Sequence, residues 1–136
     1  MAKTKAHTAY KLKDGTRVKG VTTILSNLGW NKNVLVAWAR RTALAGDDPD
    51  AVLKEAGAIG TLAHYLCECD IKGEEPELDD YSAEQIEKAE NAFLGYLEWK
   101  KMTKPKYEAI ELKMVSEKYK VGGTADFVAR INRHKN

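Results

Sequence analysis

The sequence has few residues that could staple a fold or span a membrane. Its two cysteines, Cys67 and Cys69, are two positions apart; on a helix their side chains diverge by about 200°, so they can neither bridge each other nor chelate one metal. Both read as reduced thiols. No apolar run reaches the length of a membrane span, and the opening MAKTKAHTAY lacks the apolar stretch of a signal peptide. A cytoplasmic protein without membrane contact is expected. Neither sign of charge dominates: 22 basic and 20 acidic residues leave a net +2, too mild to prove a polyanion partner, although lysines gather at both ends and around 100–106. Repeats and low-complexity segments are absent. What remains is 136 residues, 43% hydrophobic and 31% charged, the balance of a soluble globular protein able to bury a core, and one domain over 1–136 is the simplest reading.

Residues 10–21 predict a hairpin, because Tyr10 and Leu12 alternate with lysines, Asp14-Gly15 can take a turn with positive φ, and alternation resumes from Arg17. Thr22 then opens a short helix through Ile24, Leu25 and Leu28, ended by Gly29. Asn33 is placed to cap a helix through Leu35, Trp38 and Leu44 that Gly46 closes, with Trp38 as core packing. A short turn from Asp48-Pro49 is expected to run to Gly57. After an acidic loop, KGEEPELDDY, Ser82 and Gln85 have the spacing of a capping box at the head of a long helix through Ile86, Ala89, Phe93, Tyr96, Leu97 and Lys100. Thr103 to Pro105 break it. The period then changes to two. Over 107–115, Ile110, Leu112 and Met114 share one face against Glu111 and Lys113; over 121–132, Ala125, Phe127, Ala129 and Ile131 share one face against Asp126, Val128 and Arg130. The short loop 116–120 favours an antiparallel pair.

The stretch 57–70, GAIGTLAHYLCECD, predicts a helix with two distinct sides. Ile59, Leu62, Leu66 and Cys69 form a core stripe, and Thr61, His64 and Glu68 form the opposite one. His64 and Glu68, one turn apart, can reach the same small volume or hydrogen-bond each other. Gly57 and Gly60 at the head of this helix would let another chain or a sugar-phosphate backbone come close. The bland alternative is a solvated His and a solvated Glu on a surface helix.

His64, Glu111 and Asp126 are the candidates for one site. Mg²⁺ and Mn²⁺ favour carboxylate oxygens and water, and manganese tolerates an imidazole. Glu111 could equally be an exposed alternating position. Asp126 is harder to dismiss, since an acid is a poor strand former and, inside VGGTADFVARI, calls for a partner or an ion. Other chemistries fit less well. Gly122-Gly123 is too short for a phosphate-cradling loop and precedes no helix. Ser116 lacks a positioned base, and Cys67 lacks His and Asx partners. A zinc module from His64, Cys67, Cys69 and His134 has the wrong spacing.

The order of these pieces is more specific than any one of them. The Asp14-Gly15 hairpin, GVTTIL, LVAWA at 35–39, GTLAHYLCE, a long helix, a strand with Glu111 and then GGTADFVARI resemble the PD-(D/E)XK nuclease superfamily, most of all its RecB-type and phage exonuclease branch. The likeness runs from Tyr10 to Ile131. It implies an α+β fold whose antiparallel core strands lie at the C-terminal end and are packed by helices, and it implies metal-dependent hydrolysis of DNA phosphodiesters with Mg²⁺ or Mn²⁺. Carried over by position, His64 and Asp126 would hold the metal. Glu111 matches the acid of the first core strand as metal ligand and catalytic group, and Glu68 would be a catalytic accessory, holding His64 or facing the metal water. In that family the next strand carries an acid, one residue and a lysine, whereas this sequence reads INRHKN after Arg130. Glu111-Leu112-Lys113 has the right letters in the wrong place, and Arg133 to Lys135 bring no carboxylate. The resemblance therefore implies either an exonuclease truncated or split at its C-terminus, or a catalytically inactive remnant that binds DNA or protein. A third reading is a structural module in which His64 and Asp126 hydrogen-bond. A missing strand implies an open edge along 121–131, to be covered by a symmetry mate, by self-association with a second copy, or by the N-terminal hairpin.

Overall fold

The computed structural model describes residues 9–30 and 32–131. The fold is mixed α+β, as expected, and its described residues form two compact units. One is built on Ala39–Lys106 and holds the long helices; the other joins residues 9–38 to Tyr107–Ala129 and holds the sheet. Asn132 and the basic tail Arg133 to Lys135 lie outside the described residues.

In the sheet unit, β1 (Tyr10–Lys11) and β2 (Arg17–Gly20) are antiparallel, with Tyr10 opposite Val18 and Lys11 opposite Arg17. The turn is held as its residues dictate. Asp14 Oδ1 accepts the Thr16 amide at 2.8 Å, Leu12 and Thr16 bond at 2.9 Å, and Gly15 takes φ +86°. α1 (Val21–Ser26) follows at once, and Gly29 at φ +64° turns the chain toward α2 (Lys32–Leu44). Asn33 stands inside the first turn of α2, not ahead of it.

The helical unit corrects a second expectation. α3 runs unbroken as Pro49–Lys72, about 36 Å long, so Gly57 and Gly60 lie within it and do not open a new helix. Asp48 caps it by accepting the Asp50 amide, Pro49 fits the first helical position, and Gly73 ends it in the left-handed conformation. Glycine in a helix interior costs only about 1 kcal/mol against alanine. Flanked by Ala51, Leu53, Lys54, Glu55, Ala56 and Ala58, neither glycine interrupts the hydrogen-bond ladder. At both, the space a Cβ would fill is open to 4 Å.

α4 (Ala83–Thr103) has the full reciprocal capping box between Ser82 and Gln85 and ends at Lys104, which takes φ +45° before Pro105. The two helices pack through Leu62, Leu66 and Ala89, flanked by Ile59, Tyr65, Ile86 and Phe93; Leu62 is 0% exposed. The stripe read from the sequence is therefore the core. Asp70, at the C-terminal end of the stripe, accepts from the Tyr96 hydroxyl at 2.8 Å and from Lys100 Nζ at 2.6 Å, tying the end of α3 to α4.

β3 (Lys106–Ser116) and β4 (Val121–Arg130) are joined by the four-residue turn 117–120, a connection short enough only for an antiparallel pair. The sheet order is β1-β2-β4-β3. β2 meets β4 in parallel, Lys19 opposite Val121 and Gly20 opposite Gly122. The N-terminal hairpin thus covers the first two residues of β4. β4 alternates as expected, with Ala125, Phe127 and Ala129 half-buried and Thr124, Asp126 and Val128 exposed. β3 does not. Tyr107 and Ala109 are half-buried, but so is Ile110, and Leu112 and Met114 are exposed. The phase shifts at Glu111, whose φ is +52°, a left-handed value that a bulge allows and a regular strand does not.

Candidate functional site: a cleft between β2, β3 and β4

The start of β4 is set by Tyr10. Its ring lies so close to Gly122 that a Cβ there would overlap ring atoms, and it passes 3.3 Å from where a Cβ of Gly20 would sit. The Tyr10 hydroxyl and Thr124 Oγ1 are 2.9 Å apart. Lys113 Nζ stands 5.4 Å over the same ring and donates to the Ala9 carbonyl. The glycine of the Gly-Gly-Thr block thus admits an aromatic ring, and its threonine anchors that ring's far end.

After Lys19 and Gly20 of β2 the chain leaves the sheet as α1, and a cleft of about 490 Å³ lies at this junction. β2 supplies Arg17 and Lys19, two apart and so on one side of the strand. The first turn of α1 supplies Thr22 and Thr23, β4 supplies Thr124 and Asp126, and β3 supplies Glu111. Two carboxylates from different strands therefore share one cleft with two cations and three threonine hydroxyls, and Tyr10 lines it as well. Glu111 enters it at its left-handed φ, and strain of that kind persists only where surrounding structure enforces it.

His64 and Glu68 stand in the helical unit, on α3. His64 is exposed, on the side of α3 away from the core stripe. Glu68 was expected to hold His64 or to face a metal-bound water; its carboxylate accepts from the Lys72 ammonium one turn onward. The cause is local: Glu four residues before Lys is a favourable helical pair, and Lys72 is the basic residue of the last turn. The bond to Glu68 also raises the Lys72 ammonium above its ordinary range.

Among the described residues no three His, Cys, Asp or Glu side chains gather to hold a metal ion. The donor chemistry of the cleft nonetheless suits magnesium, which keeps much of its water and binds proteins through one or two carboxylates plus substrate phosphates. Sequence reading missed Tyr10, Arg17, Lys19 and the three threonines. The local signal was the alternation from Arg17, which was read as the second strand of a hairpin. Among the described residues, no helix is long and apolar enough to cross a membrane. Comparison with family models, with curated proteins and with solved structures finds no match to this chain.

Proposed function

We propose that the chain is a metal-dependent nuclease-type domain acting on DNA phosphodiesters in the cleft between β2, β3 and β4. The observation that carries the reading is that Glu111 and Asp126, from different strands, line one cleft with Arg17 and Lys19. Two carboxylates alone repel a phosphodiester. Beside two cations, and with a divalent ion between acid and phosphate, the same wall becomes attractive. Glu111 and Asp126 would hold Mg²⁺ or Mn²⁺, which when bound polarises the phosphate and lowers the pKa of a coordinated water. Arg17 offers a planar fork to two phosphate oxygens, and Lys19 a point charge. Thr22, Thr23 and Thr124 can donate to further oxygens. On α3, in the other unit, His64 offers an imidazole of the kind manganese accepts, and Glu68 keeps Lys72 charged and in place.

A non-catalytic DNA-binding role is the second reading. It is favoured by the bonds of Lys113 to the Ala9 carbonyl and over the Tyr10 ring, which commit the one lysine spaced like a nuclease motif, and by the lack of a third clustered donor among the described residues. The assay is release of nucleotides from end-labelled DNA in Mg²⁺ or Mn²⁺. The nuclease reading expects slow cleavage, stopped by chelator and by Asp126→Asn. Chelator-insensitive binding with no cleavage under either ion would sink it and leave the binding role.

A further inference from the structure

Resting on that reading, we propose that the turn carrying Trp30 is a stacking platform for unpaired nucleotides, and that the substrate therefore reaches the cleft as a single strand or a frayed end. Trp30 is 81% exposed at the turn between α1 and α2. The side chain of Lys32 packs against Gly29, its Cε 3.2 Å from where a Cβ there would sit, so a cation stands at the same turn. An aromatic face beside a lysine is the pairing by which single strands are bound, the base on the ring and the phosphate on the charge.

Charge selects the occupant. Within the sheet unit, residues 15–38 carry Arg17, Lys19 and Lys32 and no acid. A symmetric contact between two copies would bring this basic segment against itself, since an isologous interface pairs each patch with its own twin. A polyanion meets no such repulsion. The surface is also continuous with the cleft: Thr22 and Thr23 open α1 in the cleft wall, and the six residues of α1 carry the chain about 9 Å onward toward Trp30. Along that path Leu25 and Leu28 are half exposed. Apolar side chains suit the faces of unstacked bases, whereas an intact duplex turns its phosphates outward and hides those faces.

The test uses the whole chain in chelator, which removes cleavage from the measurement, with fluorescence anisotropy of labelled oligothymidine and of a blunt duplex. Trp30→Ala should weaken oligothymidine binding about ten-fold, weaken duplex binding far less, and leave the salt dependence unchanged because no charge is lost. Trp30→Phe should restore most of the affinity. Lys19→Ala should instead flatten the salt dependence for both ligands. Equal oligothymidine affinity for wild type and Trp30→Ala overturns the platform and leaves the nuclease reading standing. A wild-type chain that binds neither ligand overturns both. If Trp30→Ala changes only the oligomeric state in light scattering, or only binding to vesicles of anionic lipid, the surface serves a second copy or a membrane and the platform is wrong.

Discussion

Tyr10 and Gly122 are in direct contact across 112 residues of chain, the ring lying where any larger residue at 122 would place its Cβ. This pair docks the N-terminal hairpin on β4 and so forms one side of the cleft. Gly122→Ala should destabilise the protein by about 1–3 kcal/mol, the usual cost of overpacking. Tyr10→Ala should absorb most of that loss in the double variant, and thermal melts of the four proteins measure the coupling. Additive effects would show that the ring and the glycine do not meet.

Gly57 and Gly60 allow an opposite test. Both lie inside α3 with open space around them, so alanine at either should stabilise by up to about 1 kcal/mol. A higher urea midpoint with unchanged oligonucleotide affinity is expected. Lost affinity would restore the idea that a nucleic-acid backbone approaches these positions.

Asp70 supplies the pH dependence. Partial burial pushes its carboxyl upward, but the hydrogen bonds from Lys100 and Tyr96 and the Lys100 charge outweigh that and hold it below the ordinary 3.8. Because the folded value lies below the unfolded one, the stabilisation is present above that range and fades as pH falls through and below it. Asp70→Asn should therefore cost about 1 kcal/mol at pH 6, discounted for partial exposure, and the gap should close as pH drops below 4. Urea denaturation at several pH values measures it; a gap that persists at pH 3 would mean that the ionised carboxylate is not what matters.

Metal binding separates the candidate ligands. Titration with Mn²⁺, followed by its electron paramagnetic resonance, should show weak binding that Asp126→Asn and Glu111→Gln each weaken about ten-fold or more. His64→Ala is the separate test of the α3 imidazole, and should weaken Mn²⁺ more than Mg²⁺ if that imidazole binds manganese. An unchanged Mn²⁺ isotherm for His64→Ala would remove that histidine from the candidate ligands.

Local chemistry was legible wherever neighbours in sequence decide the outcome. Asp14-Gly15 makes its turn, Ser82 and Gln85 cap α4, and Leu62 and Leu66 form the core, all from residues within one or two turns of each other. Long-range pairings left no such signal. Nothing in Arg17–Gly20 announces that it will lie parallel to β4, so the cations at Arg17 and Lys19 could not be set opposite Glu111 and Asp126. The left-handed backbone at Glu111 was equally hidden, because a glutamate gives no hint of a positive φ. Glu68 was assigned to His64 although Lys72, at the same spacing of four, is a full charge in the favourable orientation, a weighing that the sequence itself could have corrected.

The two-residue ladder that holds Lys19 and Gly20 against Val121 and Gly122 has a consequence for the order of folding. Closing a loop of that size costs roughly 4 kcal/mol in chain entropy before any contact repays it, while α3 and α4 meet through neighbours joined by a short acidic loop. The helical unit should therefore acquire hydrogen-exchange protection first, and β2 with β4 last. On the ribosome, the helices can pack while β4 is still unmade. The cleft itself forms only once β4 is synthesised and returns to β2.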